Sequence, residues 1–399
     1  MAGGEHAEHV CFCWLGSSRY TAPGAGVYAF SHTSVLICLQ HYTAVRQYLL
    51  EKSAFHPGIG QFTLVNTEEQ FSHRMKSAYS FPRVSVVIPA LNEESSIANV
   101  VHSVIEQCPE GSELEVIIVD DGSNDRTVEE AERAGATVLR LDNGARGRNP
   151  AAARNRGARA AAGDPIVFLD ADCVPGYDWL QALLGAHSNG ATVVGGAIGL
   201  PSRLTFTARC DYYCSWYLIH PRRRAGIVPH HPPPNLSVRR RAYFATSGFS
   251  ESAPLGYTNE ERHWQSEVRA AGWTIYFEPG AVAYHHNRPG LRNLVVRNYR
   301  WAYTAIESKS RSGSTRFAWV YRCPRLLMTC ALPLCFVHTG YILGCWLRVG
   351  VYEPLIMLPL IIASRVAYMT GMVVGGVRWL RRLKSSCGQV PEDHREWSK

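Results

Sequence analysis

The sequence predicts an α/β fold, a mostly parallel sheet flanked by helices, followed by two C-terminal transmembrane helices. Three observations carry that expectation. Short apolar runs alternate with helix-length stretches between residues 84 and 169, the pattern of βαβ units. Three of those runs end in polar motifs, and ligands of open α/β sheets bind outside the carboxyl ends of the strands. Two long apolar stretches, Leu326–Leu347 and Leu355–Val377, then lie close together near the C terminus.

The elements follow in order. Val84-Ser-Val-Val-Ile88 reads as the first strand, running into Pro89-Ala-Leu-Asn-Glu-Glu94 and a helix near Ser96–Gln107. Glu115–Val119 is the second; Asp120-Asp-Gly-Ser-Asn-Asp-Arg-Thr127 and a helix over Val128–Ala134 follow it. A third strand, Ala136–Leu141, leads through a Gly/Asn loop to an Ala- and Arg-rich helix, Ala151–Ala162. The fourth, Ile166–Leu169, is apolar throughout and runs into Asp170-Ala-Asp172. Right-handed crossovers place these strand ends on one rim, so the polar motifs make one site. Two carboxylates flanking a small residue suit a hard cation such as Mg²⁺ or Mn²⁺, held largely by a substrate diphosphate. The same residue types also serve turns and helix N-caps.

Val-Ser-Val-Val-Ile-Pro-Ala-Leu-Asn-Glu, Val-Asp-Asp-Gly-Ser-Asn-Asp-Arg-Thr and Phe-Leu-Asp-Ala-Asp, in this order, resemble the family 2 glycosyltransferases. These are inverting enzymes with the GT-A fold that use nucleotide-diphospho-sugar donors, and the resemblance covers residues 82–300. It implies that Pro89, Ala90, Asn92 and Glu93 line the donor and that Asp121 meets its base, with Asp120 orienting the turn. It places Arg154 near the nucleotide, where an Arg fork pairs with phosphate oxygens. Asp172 then holds the metal, and Asp170 supports the sugar or ribose. Asn235-Leu-Ser-Val-Arg-Arg240 and Gly248-Phe-Ser-Glu251 resemble the family's acceptor-side segments, with Ser247 and Ser250 where the family has Gly and Asp. The catalytic base falls in Tyr257–Gly272, where counting back from Gly272 puts Glu261 at the family's Asp position and Glu260 before it. Glu for Asp adds a methylene, so both remain candidates, Glu261 ahead. Two neighbouring carboxylates also raise each other's proton affinity, which suits a base. Near the end of Glu278–His286, His285 is the expected ligand to the metal or diphosphate, with His286 the runner-up. Adjacent strand residues face opposite ways, so only one of the two enters the site. His230-His-Pro-Pro-Pro234 reads as a stiff loop over the donor.

Composition suits a membrane-attached enzyme of 399 residues with 46% hydrophobic content. Both apolar stretches have about the 20 residues that cross a bilayer core. Arg365 interrupts the second and must face protein, water or the interface. Basic residues flank the pair, which places the catalytic domain and C terminus in the cytoplasm by the positive-inside rule. The net charge of +8 fits anionic lipid rather than nucleic acid, for which no motif is present. The twelve cysteines lack the spacing of zinc sites and read as free thiols in a reducing compartment.

The expected organisation is an N-terminal extension of unreadable role (1–80), a transferase domain (81–290; donor half 81–200, acceptor half 201–290), a juxtamembrane amphipathic helix (291–320), two spans (326–377) and a basic cytoplasmic tail (378–399). The amphipathic pattern of Leu291–Ile306 fits the membrane surface or packing on the domain equally. The expected reaction moves one sugar to a hydroxyl of a glycan or lipid-linked acceptor in envelope polysaccharide or glycolipid synthesis. Two competitors stand beside it: a polyprenyl-phosphate sugar transferase, and a membrane protein that binds nucleotide-sugars without turning them over.

Overall fold

In the computed structural model, residues 81–141, 149–251, 259–312, 318–321 and 323–388 are described, all within the unit Ser72–Lys399. The N-terminal extension and the last eleven residues of the basic tail lie outside them, as does the Gly-rich loop 142–148. Four strands lead: β1 (Arg83–Ala90), β2 (Glu113–Asp120), β3 (Thr137–Arg140) and β4 (Ile166–Leu169). They are joined by helices α1 (Ile97–Ile105), α2 (Thr127–Arg133) and α3 (Pro150–Ala160), within a few residues of the expected positions. All four strands are parallel, with β1 between β2 and β4.

Their apolar runs are continuous because helices cover both faces of the sheet. Val86, Ile88, Val167 and Leu169 join one core with α1 and the helix α4 (Trp179–Ser188). Val87, Ile166 and Phe168 face the other way, into a second core with α3. There α3 lies so close that a Cβ on Gly157 would stand 2.3 Å from Val87 Cγ1. Asn149 caps α3 by accepting from the Ala152 amide, and Pro150 opens its first turn, where a missing N–H costs nothing.

Beyond β4 the sheet continues through β5 (Cys173–Pro175) and β6 (Val193–Gly199), and then through β7 (Gly226–Val228), β8 (Asn235–Val238) and β9 (Ile275–His285) of the acceptor half. The order is β3-β2-β1-β4-β8-β6-β9-β5, with β7 on β9. Strands β1, β2, β3, β4, β6 and β9 point one way; β5, β7 and β8 run against them. Helices α5 (Phe206–Ser215), α6 (Arg240–Phe244) and α7 (Glu261–Ala270) pack on this half.

The C-terminal region is all helical: α8 (Leu291–Tyr303), α9 (Ala305–Ser312), α10 (Ala318–Tyr321), α11 (Pro324–Thr329), α12 (Ala331–Leu347), α13 (Glu353–Ile356) and α14 (Leu358–Gly388). Among the described residues one helix, α14 over Leu358–Leu383, is long and apolar enough to cross a membrane, and half of its most apolar stretch is buried inside the protein. The first expected span breaks at Cys330, leaving α12 with 17 residues. That is about 25 Å of helix, short of a bilayer core. Helix α8 buries Leu294, Asn298 and Ala302 and packs along α14. Arg365 faces protein as expected: its guanidinium donates to Asn298 Oδ1 and lies over the Tyr368 ring.

Candidate active site

Strand pairing assembles the site. Ala90 and Asp120 end β1 and β2 at the same level, and the Asp121 amide donates to the Ala90 carbonyl at 2.9 Å. Asp120 accepts from the Ser123 amide at 3.1 Å and so shapes the turn. Asp121 accepts from the Asn149 amide at 2.6 Å, tying the second loop to the start of α3. Pro89 is half-buried and Ala90 buried beside them.

Asn92 and Glu93 knit the first two loops together. Asn92 takes φ +56, a left-handed conformation that Asn tolerates better than most residues. Its amide donates to Ser123 Oγ at 2.9 Å, and its Oδ1 accepts from the Asn124 amide at 3.0 Å. The Glu93 amide donates to Thr127 Oγ1 at 2.7 Å, while its carboxylate accepts from Arg288 at 2.6 Å. Burial and then the nearby Asp172 raise the Glu93 pKa, with Arg288 opposing.

Asp172 and His285 meet because β5 pairs antiparallel with β9, opposing Cys173 to His285. His285 Nε2 lies 3.5 Å from Asp172 Oδ1. The His286 amide instead donates to the Asp172 carbonyl at 2.8 Å, and its side chain is exposed. Of the two, His285 is the one whose side chain lies beside Asp172. It is buried with Nδ1 lacking a hydrogen-bond partner, and desolvation with Arg297 lowers its pKa to about 3, leaving a neutral imidazole able to ligate. Cys173 completes a cluster whose donor atoms lie within 4.8 Å. Burial and the two aspartates push its thiol well up, so it stays protonated and behaves as a small apolar residue. One carboxylate and one neutral imidazole supply two ligand atoms that fit Mg²⁺ or Mn²⁺, an ion whose remaining positions are commonly filled by substrate oxygens and water.

Arg154 stands apart from the expectation of a phosphate contact. It is buried on α3, with Nη2 2.6 Å from Asp170 Oδ1 and Nη1 2.8 Å from Glu260 Oε1. Both terminal nitrogens thus serve carboxylates of the protein, and the Phe249 ring lies 5.6 Å from the guanidinium carbon. The guanidinium links Asp170, at the end of β4, to Glu260 at the start of α7. The neighbouring Asn155 anchors the acceptor segment: its Nδ2 donates to the Phe249 carbonyl and Glu251 Oε1, and its Oδ1 accepts from Tyr243 and the Phe249 amide.

Glu260 and Glu261 are both buried, but they face different partners. Glu261 Oε1 is hydrogen-bonded to Nε2 of His230, in the loop after β7. Desolvation raises both carboxyls. Glu260 is pushed up to about 7, with Arg154 opposing and the Glu261 charge adding. Desolvation holds His230 well below its ordinary value, as a neutral ring. Neither the His230–Glu261 pair nor the Arg154–Glu260 pair is visible in local sequence. The one available signal was a histidine beginning a proline-rich loop.

A βαβ donor half with an Asp-x-Asp at the central strand end, joined to a mixed acceptor half, defines the GT-A glycosyltransferases. Residues 85–245 match the model of glycosyl transferase family 2, so the chain carries a domain of that family. It is 29% identical over 231 residues to glycosyltransferase AglE of Haloferax volcanii, covering 55% of this chain and 72% of that protein. Over 362 residues it is 27% identical to the pre-mycofactocin glycosyltransferase of Mycobacterium tuberculosis, covering 77% and 74%. Among solved structures, mannosyltransferase PcManGT of Pyrobaculum calidifontis in complex with GDP-Man and Mn²⁺ shares the fold. Its TM-score is 0.50 at 18% identity, over 79% of this chain and 95% of that one.

Proposed function

We propose that this glycosyltransferase moves one sugar, with inversion, from a nucleotide-diphospho-sugar to a hydroxyl of a glycan or lipid-linked acceptor at the cytoplasmic face of the membrane. The observation that carries the reading is the convergence of Asp172 with His285 beside the Asp170–Arg154–Glu260 chain. In this reading Asp121, with Pro89 and Ala90, borders the nucleoside. Asn92 and Glu93 act through the loops they hold rather than by touching the donor. Asp172 and His285 hold the divalent ion, which when bound stabilises negative charge on the departing diphosphate.

Glu261 takes the proton from the acceptor hydroxyl. The acceptor oxygen bonds to the anomeric carbon from the face opposite the leaving group. The anomeric carbon–phosphate oxygen bond breaks, and nucleoside diphosphate departs with that electron pair. Glu260 is the weaker candidate for base because Arg154 occupies one of its oxygens, whereas the partner of Glu261 is a neutral ring. Arg154 is assigned to positioning: it fixes the start of α7 relative to Asp170.

The test is release of nucleoside diphosphate from a panel of UDP-, GDP- and dTDP-sugars by purified protein with Mn²⁺ and membrane lipid extract. Release from one donor that EDTA, Asp172→Ala and Glu261→Gln each abolish is the expected result. Release that survives Glu261→Gln yet needs polyprenyl phosphate would replace the hydroxyl acceptor with a lipid phosphate. Donor binding without any turnover would overturn the catalytic reading.

A further inference from the structure

We infer that the C-terminal helices attach the enzyme to one leaflet of the bilayer, lying in its plane, rather than crossing it as a two-span hairpin. The inference deepens the membrane part of the proposed function and does not depend on turnover.

A hairpin of two spans must carry its connector across the bilayer from the catalytic domain. Here the connector between α12 and α14 is docked on that domain. Arg209 of α5 makes a two-pronged ion pair with Glu353, through Nε at 2.6 Å and Nη2 at 2.5 Å. Tyr213 donates to the same carboxylate at 2.6 Å, and Arg222 donates to the Val349 carbonyl at 3.1 Å. The end of α12 is held too: Trp346 Nε1 donates to the Tyr213 carbonyl at 2.9 Å, and its ring packs on His220.

Helix α14 also touches the domain side at both ends. Near its start Ile361 joins the core under α5, and Ser364 Oγ is 3.1 Å from Cys214 Sγ. Near its far end Arg382 lies 3.9 Å from Glu307 of α9, and α9 packs on α7 of the catalytic domain. A helix supported along its length by one domain lies across that domain and does not project from it.

The faces turned away from the domain have the wrong chemistry for water. Helix α12 directs Cys335, Thr339, Ile342 and Trp346 inward. Its outer face is Leu332, Pro333, Phe336, Val337, Gly340 and Tyr341, with Leu332, Phe336 and Val337 exposed by 69%, 59% and 66%. The outer stripe of α14 up to Val377 is likewise uncharged, and Ile356 of α13 is 75% exposed. Between residues 326 and 377 the only charged residues are Arg348, Glu353 and Arg365. Glu353 is bound to Arg209, and Arg365 is buried. That leaves Arg348 as the exposed charge on the strip, with exposed Arg325, Arg378, Arg381 and Arg382 at its borders. An uncharged apolar strip edged by cations fits an anionic lipid surface, sinking to the head-group and acyl boundary.

Two measurements test this on the full chain. The first is flotation with vesicles of phosphatidylcholine alone or with phosphatidylglycerol. The wild type should float, more strongly with phosphatidylglycerol, and Phe336→Glu/Val337→Glu should lower the bound fraction on the order of tenfold or more. Both side chains are exposed, so an unchanged melting temperature should accompany the loss. The second is labelling of Tyr352→Cys and Tyr177→Cys by a membrane-impermeant maleimide in sealed vesicles carrying the enzyme outward, read peptide by peptide. Tyr177 is 93% and Tyr352 65% exposed. Labelling of both positions without lysis is expected. Labelling of position 352 only after lysis would restore the two-span hairpin. Absence of the wild type from the vesicle fraction would overturn the lipid partner. Loss of donor turnover alongside retained flotation would count against the proposed function and leave this inference standing.

Discussion

His230 Nε2 and Glu261 Oε1 share a hydrogen bond inside the protein, although 31 residues separate them in the chain. Burial moves the two groups in opposite directions, His230 down and Glu261 up, so the imidazole stays neutral and the carboxyl carries the titration. Ionised Glu261 is the form that accepts a proton. The acid limb of kcat/KM should therefore lie above the 4.5 of an ordinary glutamate. Glu261→Gln should cost roughly 10²–10⁴-fold in transfer while donor binding persists. In His230→Ala the carboxylate loses a neutral donor, and the limb should move to higher pH. A residue needed only for folding would lower the rate equally at every pH.

Glu260 gives a prediction about stability. Its folded-state pKa is raised from 4.5 to about 7, so between those values the folded state binds more protons than the unfolded one. Stability then falls as pH rises through this window, by at most on the order of 3 kcal/mol. Buried histidines held below their ordinary value, His230 and His285 among them, push the other way over the same pH range, so the quantity to read is the difference between wild type and Glu260→Gln. Melting temperatures of the two recorded from pH 4.5 to 7.5 should shift against the wild type as pH rises, since glutamine does not titrate. A difference that stays constant, or moves in favour of the wild type, would refute the assignment.

Arg154 is buried between two carboxylates, so its removal leaves both without their cation. Arg154→Ala should destabilise by about 3–5 kcal/mol, measured by denaturant unfolding. Arg154→Lys should rescue little, because one ammonium on a flexible stem does not reproduce a fork that reaches Asp170 and Glu260 together. Full recovery in the lysine variant would show that a point charge suffices.

Asp172 and His285 should act together on the metal. Titration of Mn²⁺ in the presence of nucleoside diphosphate, followed by the manganese spin signal, should show affinity falling in Asp172→Ala and in His285→Ala. The double variant should be little worse than the weaker single, as expected for two ligands of one ion. Cys173→Ala should retain binding, because its thiol remains protonated. A loss in Cys173→Ala as large as in His285→Ala would add sulfur to the ligand set.

The donor half was legible because parallel strands buried on both faces are written as unbroken apolar runs, and β1, β2 and β4 each end at their motif. Strand alternation made it legible that only one of His285 and His286 faces the end of β4; the preference for His285 came from the register of the family resemblance. What local sequence cannot carry is which distant side chains share a charge. Arg154 meets Glu260 across 106 residues only because α3 and α7 pack on the same sheet. Hydropathy likewise counts apolar residues without saying what covers them. Trp346 and Ile361 lie in the two stretches expected to span the membrane, Leu326–Leu347 and Leu355–Val377, yet both are buried against the catalytic domain. Arg365, which interrupts the second stretch, was the visible sign that this stretch does not face lipid all round, whether protein, water or the interface receives the charge.

The packing of α8 on α14 yields the last prediction. Gly371 and Gly375 stand one turn apart on α14, and the α8 backbone lies directly over them. A Cβ on Gly371 would be 2.1 Å from the Tyr299 carbonyl oxygen, and one on Gly375 would be 1.7 Å from that of Tyr303. A main-chain oxygen inside a helix cannot swing aside as a side chain can, so the helices must separate. Separation would disturb the Arg365–Asn298 hydrogen bond and the contacts of Ile306 with Met369 and Met372. Gly375→Val should therefore lower stability by about 1–3 kcal/mol or more. Gly340→Val on α12, where nothing lies within 4 Å of the added Cβ, should cost less than half as much, helix propensity favouring the change slightly. Equal melting temperatures for the two variants would mean that α8 does not sit on the glycine face of α14.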